Sequence, residues 1–76
     1  MAAKPLHEIR RGLVVVRIYR RRSRSTSSFS LSTLRLYRNG KDWKESRRFG
    51  HDDVPLLRLA LDEAYRWIFD NKETGR

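Results

Sequence analysis

Between Phe29 and Phe49 the chain reads FSLSTLRLYRNGKDWKESRRF, two runs of alternating side chains on either side of Asn39-Gly40. Period-two alternation is the pattern of a strand with one buried face. Asn-Gly suits a type I′ hairpin turn, because both residues tolerate positive φ. A two-residue turn there sets Leu36 opposite Trp43, Leu34 opposite Glu45 and Ser30 opposite Phe49. Leu34, Leu36, Trp43 and Phe49 then share one face. Phe29, Leu31, Thr33, Arg35, Tyr37, Asp42, Lys44, Ser46 and Arg48 share the other. A three-residue loop would reverse this parity.

Upstream, Glu8 to Arg22 predicts a single first strand, rich in β-branched residues and without helical periodicity. Val14, Val16 and Ile18 are its cleaner apolar set and should join Leu34, Leu36, Trp43 and Phe49 in the core. Arg20 to Ser28, RRRSRSTSS, reads as an exposed basic loop leading to the second strand. The hairpin supplies strands from about Phe29 to Arg38 and from Lys41 to Phe49. Gly50-His51-Asp52-Asp53 breaks the sheet, with Asp53 suited to cap a helix and Pro55 suited to its first turn. From Val54 to about Asp70 the apolar residues recur at helical spacing. Val54, Leu57, Ala60, Leu61, Ala64, Tyr65 and Ile68 cluster on one side, and Asp62 and Arg66 are spaced to pair. Leu59 falls among the polar positions.

The predicted fold is therefore α+β: a three-stranded antiparallel sheet followed by one amphipathic C-terminal helix on one face. Residues 8–70 form one domain, with 1–7 and 71–76 expected as flexible tails.

Charge changes this picture. The formal net charge is +9, and most of the eighteen basic residues are arginine. Residues 1–50 carry +11 and residues 51–76 carry −2. Arginine-rich, lopsided charge points to a polyanion partner, with compositional bias as the competing explanation. The absence of cysteine excludes disulfides and thiolate chemistry and fits a reducing, cytoplasmic setting. No stretch approaches the roughly 20 apolar residues of a membrane span.

On this reading the uncovered sheet face interleaves rings with cations, as a single-stranded nucleic-acid surface requires. Tyr19 and Tyr37 are the stacking candidates. Arg17, Arg35, Lys44 and Arg48 are the phosphate candidates, extended by Arg20, Arg21, Arg22 and Arg24. The partner would be single-stranded DNA or RNA. The alternative is a protein-interaction or structural module. In it Leu13, Val15, Phe29 and Leu31, the apolar end of the same face, are buried in a homodimer. Catalysis is not expected. His51, Asp52 and Asp53 are adjacent, but no further histidine, cysteine or glutamate completes a site, and no phosphate-binding or nucleophile motif is present. No cofactor, metal or small-molecule substrate is expected.

The segments Leu36-Tyr37-Arg38-Asn39-Gly40-Lys41-Asp42-Trp43-Lys44-Glu45-Ser46, Phe49 to Leu57 and Ala64 to Ile68 resemble a family of small uncharacterised bacterial proteins. That family shares a pattern of the form RLY, Asp-Gly, W-K-x-S, Asp-Asp-x-Pro-Leu and A-x-x-W-I. The resemblance spans roughly residues 8–70 and implies a fold, without an established activity. A typical first strand in that family is less arginine-rich, and the Arg20–Ser28 loop is peculiar to this chain. More remotely, strands followed by a helix on a basic sheet are similar to the p15-coactivator-like and Whirly-like single-stranded DNA binders. Those have four strands before the helix, one more than expected here.

Overall fold

The computed structural model describes residues 4–22 and 27–71. Arg24 and the centre of the arginine-serine segment lie outside the described residues, as do 1–3 and 72–76. Four strands precede the helix: β1 (His7–Arg11), β2 (Val14–Arg22), β3 (Ser27–Asn39) and β4 (Asp42–Ser46). They pair antiparallel in the order β1-β2-β3-β4. A short 3-10 turn at His51–Asp53 leads directly into α1 (Val54–Asn71).

The three-stranded sheet expected from the sequence is thus corrected to four strands. The single strand predicted from Glu8 to Arg22 folds back on itself at Gly12. Gly12 has φ +62°, and Leu13 beside it stays at negative φ. Arg11 pairs with Val14 across these two residues, so the turn carries its glycine first, as type II′ requires. Gly40, at φ +69°, repeats the arrangement between Asn39 and Asp42. The hairpin is therefore centred on Gly40-Lys41, one residue later than the expected Asn39-Gly40 turn. Arg38, not Leu36, opposes Trp43.

A one-residue shift of both turn positions leaves parity intact, so Leu34, Leu36 and Trp43 share one face and Arg35, Tyr37, Asp42, Lys44 and Ser46 the other, as predicted. Phe49, expected with the first set in a strand reaching that far, lies beyond the end of β4 and packs into the helix-side core. Their relation to β2 is not. Val14, Val16 and Ile18 pair with Arg35, Thr33 and Leu31, and Arg20 with Phe29. Directly opposed residues share a face. The helix-covered face therefore carries Phe29, Leu31, Arg35, Tyr37 and Lys44, all assigned from sequence to the open side. Leu34, Leu36 and Trp43, expected in the core, lie on the free face.

The core itself is formed by Ile9, Val14, Val16 and Ile18 beneath Ala60 and Ala64, with Leu57, Trp67, Ile68, Phe29 and Phe49 around them. Full burial of each aliphatic side chain stabilises the fold by roughly 1.5–3 kcal/mol. The two alanines have no exposed surface, so the helix backbone approaches β2 closely at that crossing. At its start Leu56 sits over Gly12, where a Cβ would lie 3.1 Å from Leu56 Cδ1. Farther along, Arg11 grips Glu63 with two guanidinium donors, one at 2.7 Å. Helix α1 thus lies over β1 and β2. This seating rotates the predicted apolar face. Val54, Leu61 and Tyr65, expected to be buried, are exposed.

The helix entry also differs from expectation. Asp53 does not cap α1. It closes the 3-10 turn, accepting the Gly50 N–H at 2.8 Å while its own N–H donates to the Gly50 carbonyl at 2.9 Å. The Asp62–Arg66 pair forms at 3.6 Å, as its spacing predicts.

Strand β3 is longer than its neighbours, and they use different parts of it. Strand β2 pairs with residues 27–35 and β4 with residues 35–39, so only Arg35 is paired on both sides. The β3–β4 hairpin therefore runs on past β2 as an arm, held at its root by Leu36 N–H donating to the Leu13 carbonyl at 2.8 Å.

Candidate nucleic-acid interface

By strand alternation the helix-free face carries Glu8 and Arg10 from β1 and Val15, Arg17, Tyr19 and Arg21 from β2. Strand β3 contributes Ser28, Ser30, Ser32, Leu34, Leu36 and Arg38, and β4 contributes Trp43 and Glu45. At its centre Val15 and Leu34 pair directly and are 2% and 3% exposed. They form a small second apolar cluster on the side without a helix.

Arg17 is already engaged. Its Nε–H donates to Glu8 at 3.0 Å and a terminal N–H donates to Glu45 at 3.2 Å. One side chain on β2 thereby ties β1 to β4 across β3, which presents the small Ser32 opposite Arg17. The hydrogen bond it donates to Glu8 is the main cause of a raised guanidinium pKa, opposed by desolvation and reinforced by Glu45. A cation neutralised by two carboxylates is a poor phosphate ligand.

Arg10, Arg21 and Arg38 are different. They share this face and have no carboxylate partner among the described residues. Arg10 donates only to the Gly12 carbonyl, at 3.4 Å. Arg38 lies over the Trp43 ring, 5.4 Å from its centre, a cation–π arrangement. Trp43 is 53% exposed. It is the largest ring on this face, and it stands on the arm where no helix can cover it. Tyr19, at the opposite end, pairs across to Ser30. Ser30 and Arg38 are eight residues apart along β3, so the two rings lie about 26 Å apart.

The remaining sequence-derived candidates are scattered. Arg35 points to the helix side and holds the β4-to-helix junction. Its Nε–H donates to the Arg48 carbonyl at 3.1 Å and lies 3.3 Å from Asp53. Arg48 lies beyond β4. Tyr37, 37% exposed, and Lys44 oppose each other on the helix side of the arm. Arg20 lies over Phe29 at 5.1 Å on that same side, and Arg22, two residues on, shares that face by strand alternation. The expected dimer set is also divided. Leu13 sits in the β1–β2 turn and Val15 on the free face, whereas Phe29 and Leu31 are on the helix side.

Sequence reasoning thus found Arg17, Tyr19 and Arg21 on the free face and missed Arg10, Arg38 and Trp43. Trp43 was misplaced because its hydrophobicity suggested core. The usable signal was its position two residues from a hairpin turn, where a short strand leaves little to cover it. Among the described residues no cluster of His, Cys, Asp and Glu could hold a metal ion, and His51 is exposed beside the 3-10 turn. Among the described residues no helix is long and apolar enough to cross a membrane.

What this arrangement defines is a class: a small basic α+β domain, a four-stranded meander with one sheet face under a helix and the other free. Comparison with protein-family models, with curated proteins and with solved structures returned no match.

Proposed function

We propose that the domain binds single-stranded nucleic acid across its helix-free sheet face, without catalysing a reaction. The observation that carries this reading is the exposed Trp43 beneath Arg38, on the same face as Tyr19 and the carboxylate-free Arg10 and Arg21. Rings supply sequence-tolerant stacking for bases, and uncommitted guanidinium groups supply the backbone contacts. Ser28, Ser30 and Ser32 leave a low, hydrogen-bonding track along β3 between the two ends. Arg17 holds strands together in this scheme and does not contact phosphate.

The test is anisotropy of labelled single-stranded DNA, single-stranded RNA and duplex DNA at about 50 and 200 mM salt, where counterion release makes affinity fall with salt. Trp43→Ala should weaken single-strand binding by about 1–3 kcal/mol. Tyr37→Ala, on the opposite face, should leave it unchanged. Equal loss in both variants, or weak binding to every polyanion that ignores Trp43, refutes the proposal.

A further inference from the structure

The stagger of β3 leaves an edge that no described strand covers. The Leu36 N–H donates to the Leu13 carbonyl, and in that register Leu34, Ser32, Ser30 and Ser28 turn their backbone groups toward β2. Phe29, Leu31 and Thr33 turn theirs the other way, where β4 does not reach, since its pairing ends at Arg35. Proteins usually guard such an edge with charge, proline or a bulge. Strand β1 carries Glu8, Arg10 and Arg11, and β4 carries Asp42, Lys44 and Glu45. The segment from Ser28 to Thr33, SFSLST, has no charge and no proline, and its Leu31 is 43% exposed.

The two faces beside this edge differ in what they offer. On the free face Arg17 stands opposite Ser32 and reaches across β3 to Glu45, which lies opposite Leu36, four residues farther along. Arg21, opposite Ser28, repeats the first half of this arrangement. It has no carboxylate partner among the described residues. The same reach from Ser28 ends beside Ser32, on the bare edge. The helix side is apolar instead. On a helix of 3.6 residues per turn, Leu61 and Tyr65 each lie about 160° around the axis from Glu63. Since Glu63 is bound to Arg11 on β1, Leu61 and Tyr65 project over β3. Tyr65 is 65% exposed and Leu61 36%.

We propose that the edge from Ser28 to Thr33 accepts an extended segment of another protein as an added antiparallel strand, apolar and acidic at alternate positions. Its apolar side chains meet Leu31, Leu61 and Tyr65. Its carboxylates lie opposite Ser30 and Ser32, within reach of Arg21. Strand addition of this kind takes affinity from main-chain hydrogen bonds and specificity from alternate side chains. No described strand of this chain alternates apolar with acidic residues, so the complementary segment is not a second copy. Six residues opposite Ser28 to Thr33 stop short of Arg35, whose edge Ser46 occupies. The site does not depend on nucleic-acid binding.

Calorimetric titration with a hexapeptide of three Val-Glu repeats, acetylated and amidated, tests it in the absence of nucleic acid. The wild type should bind with a Kd below about 1 mM, and exchange of the Leu31 amide should slow. A hexapeptide of three Val-Lys repeats should not bind, nor should the Val-Glu peptide N-methylated at its valines. Arg21→Ala should weaken binding about threefold, whereas Arg66→Ala, which removes an equal charge from the side of the helix turned away from the sheet, should leave it unchanged. Leu31→Lys sets a charge against the neighbouring valine and should weaken binding at least about tenfold. Should that variant unfold, Tyr65→Ala, at a largely exposed position, should weaken binding instead. No binding at millimolar peptide overturns the proposal. So does equal binding of the N-methylated or lysine peptide, or an equal loss in Arg21→Ala and Arg66→Ala.

Discussion

The two glycine turns differ in one measurable respect, and the difference tests whether the helix is seated as described. Gly12 and Gly40 both adopt positive φ, +62° and +69°. An added Cβ at Gly40 meets nothing within 4 Å, whereas at Gly12 it lies 3.1 Å from Leu56 Cδ1. Gly40→Ala therefore carries backbone strain alone, about 1–2 kcal/mol for an L-residue forced to positive φ. Reduced freedom of the unfolded chain returns part of this, leaving a net cost of about 1 kcal/mol. Gly12→Ala carries the same strain plus a contact tighter than ordinary packing. Leu56 is partly exposed and can give way, so the added cost should be about 0.5–1 kcal/mol, below the 1–3 kcal/mol of overpacking a closed core.

Urea unfolding of Gly12→Ala, Gly40→Ala, Leu56→Ala and the Gly12→Ala/Leu56→Ala double variant would measure this. Gly12→Ala should be the less stable single alanine, and removing Leu56 should bring its cost down to that of Gly40→Ala. The coupling between positions 12 and 56 is the quantity of interest, because it exists only if the helix start rests on the β1–β2 turn. Equal costs at the two glycines, with no coupling to Leu56, would refute the seating. The four-strand topology would survive that result, since both turns require the glycine whatever lies above them.

Other consequences can be checked more briefly. Ala64→Leu, at a position with no exposed surface where helix meets β2, should cost about 1–3 kcal/mol in urea unfolding through overpacking. Glu63→Gln breaks the two-donor contact with Arg11, and because both side chains are partly exposed the loss should be about 1 kcal/mol or less. That loss should shrink further in high salt, as screening weakens the native pair. Within the proposed binding face, Arg38→Ala should lower both affinity for a single strand and its dependence on salt, by about one counterion. Arg35→Ala, at the β4-to-helix junction, should instead lower stability and leave the salt dependence of binding unchanged.

How much of this was legible in the chain turns on β3. Its first half says that odd positions are apolar, with Phe29 and Leu31 between Ser28, Ser30 and Ser32. Its second half says the opposite, with Leu34 and Leu36 between Thr33, Arg35 and Tyr37. A strand that packs one way along its whole length cannot satisfy both. The structure resolves the conflict: the first half faces the helix layer with β2, and the second half lines the free-face cluster of Val15 and Leu34. Reading the phase from Leu34, Leu36 and Trp43 alone transferred the whole hairpin to the wrong side of β2, which separated Tyr19 from Tyr37 and Leu13 from Leu31. The helix was legible in extent because Val54 to Asn71 is periodic throughout. Its rotation was not, because its seat is set by the small residues Ala60 and Ala64 and by Arg11 holding Glu63. Neither is visible in a hydrophobicity pattern.

The same stagger shapes both ends of β3. Had β4 slid four residues toward the start of β3, it would have paired with the stretch that β2 pairs from the other side, leaving no arm for Trp43 to stand on. What prevents this is the chemistry of the turns. A hairpin glycine at position 40 fixes Asn39 against Asp42, and every later pair follows from it. The β1–β2 turn at Gly12 ends β2 pairing at Arg35 in the same way. With Arg35 the last residue of one ladder and the end of the other, its contacts to Arg48 and Asp53 fasten the place where both neighbours stop. Two glycines and one arginine thus set how far β3 extends beyond each partner. The exposure of Trp43 at one end and of Leu31 at the other follows from that length.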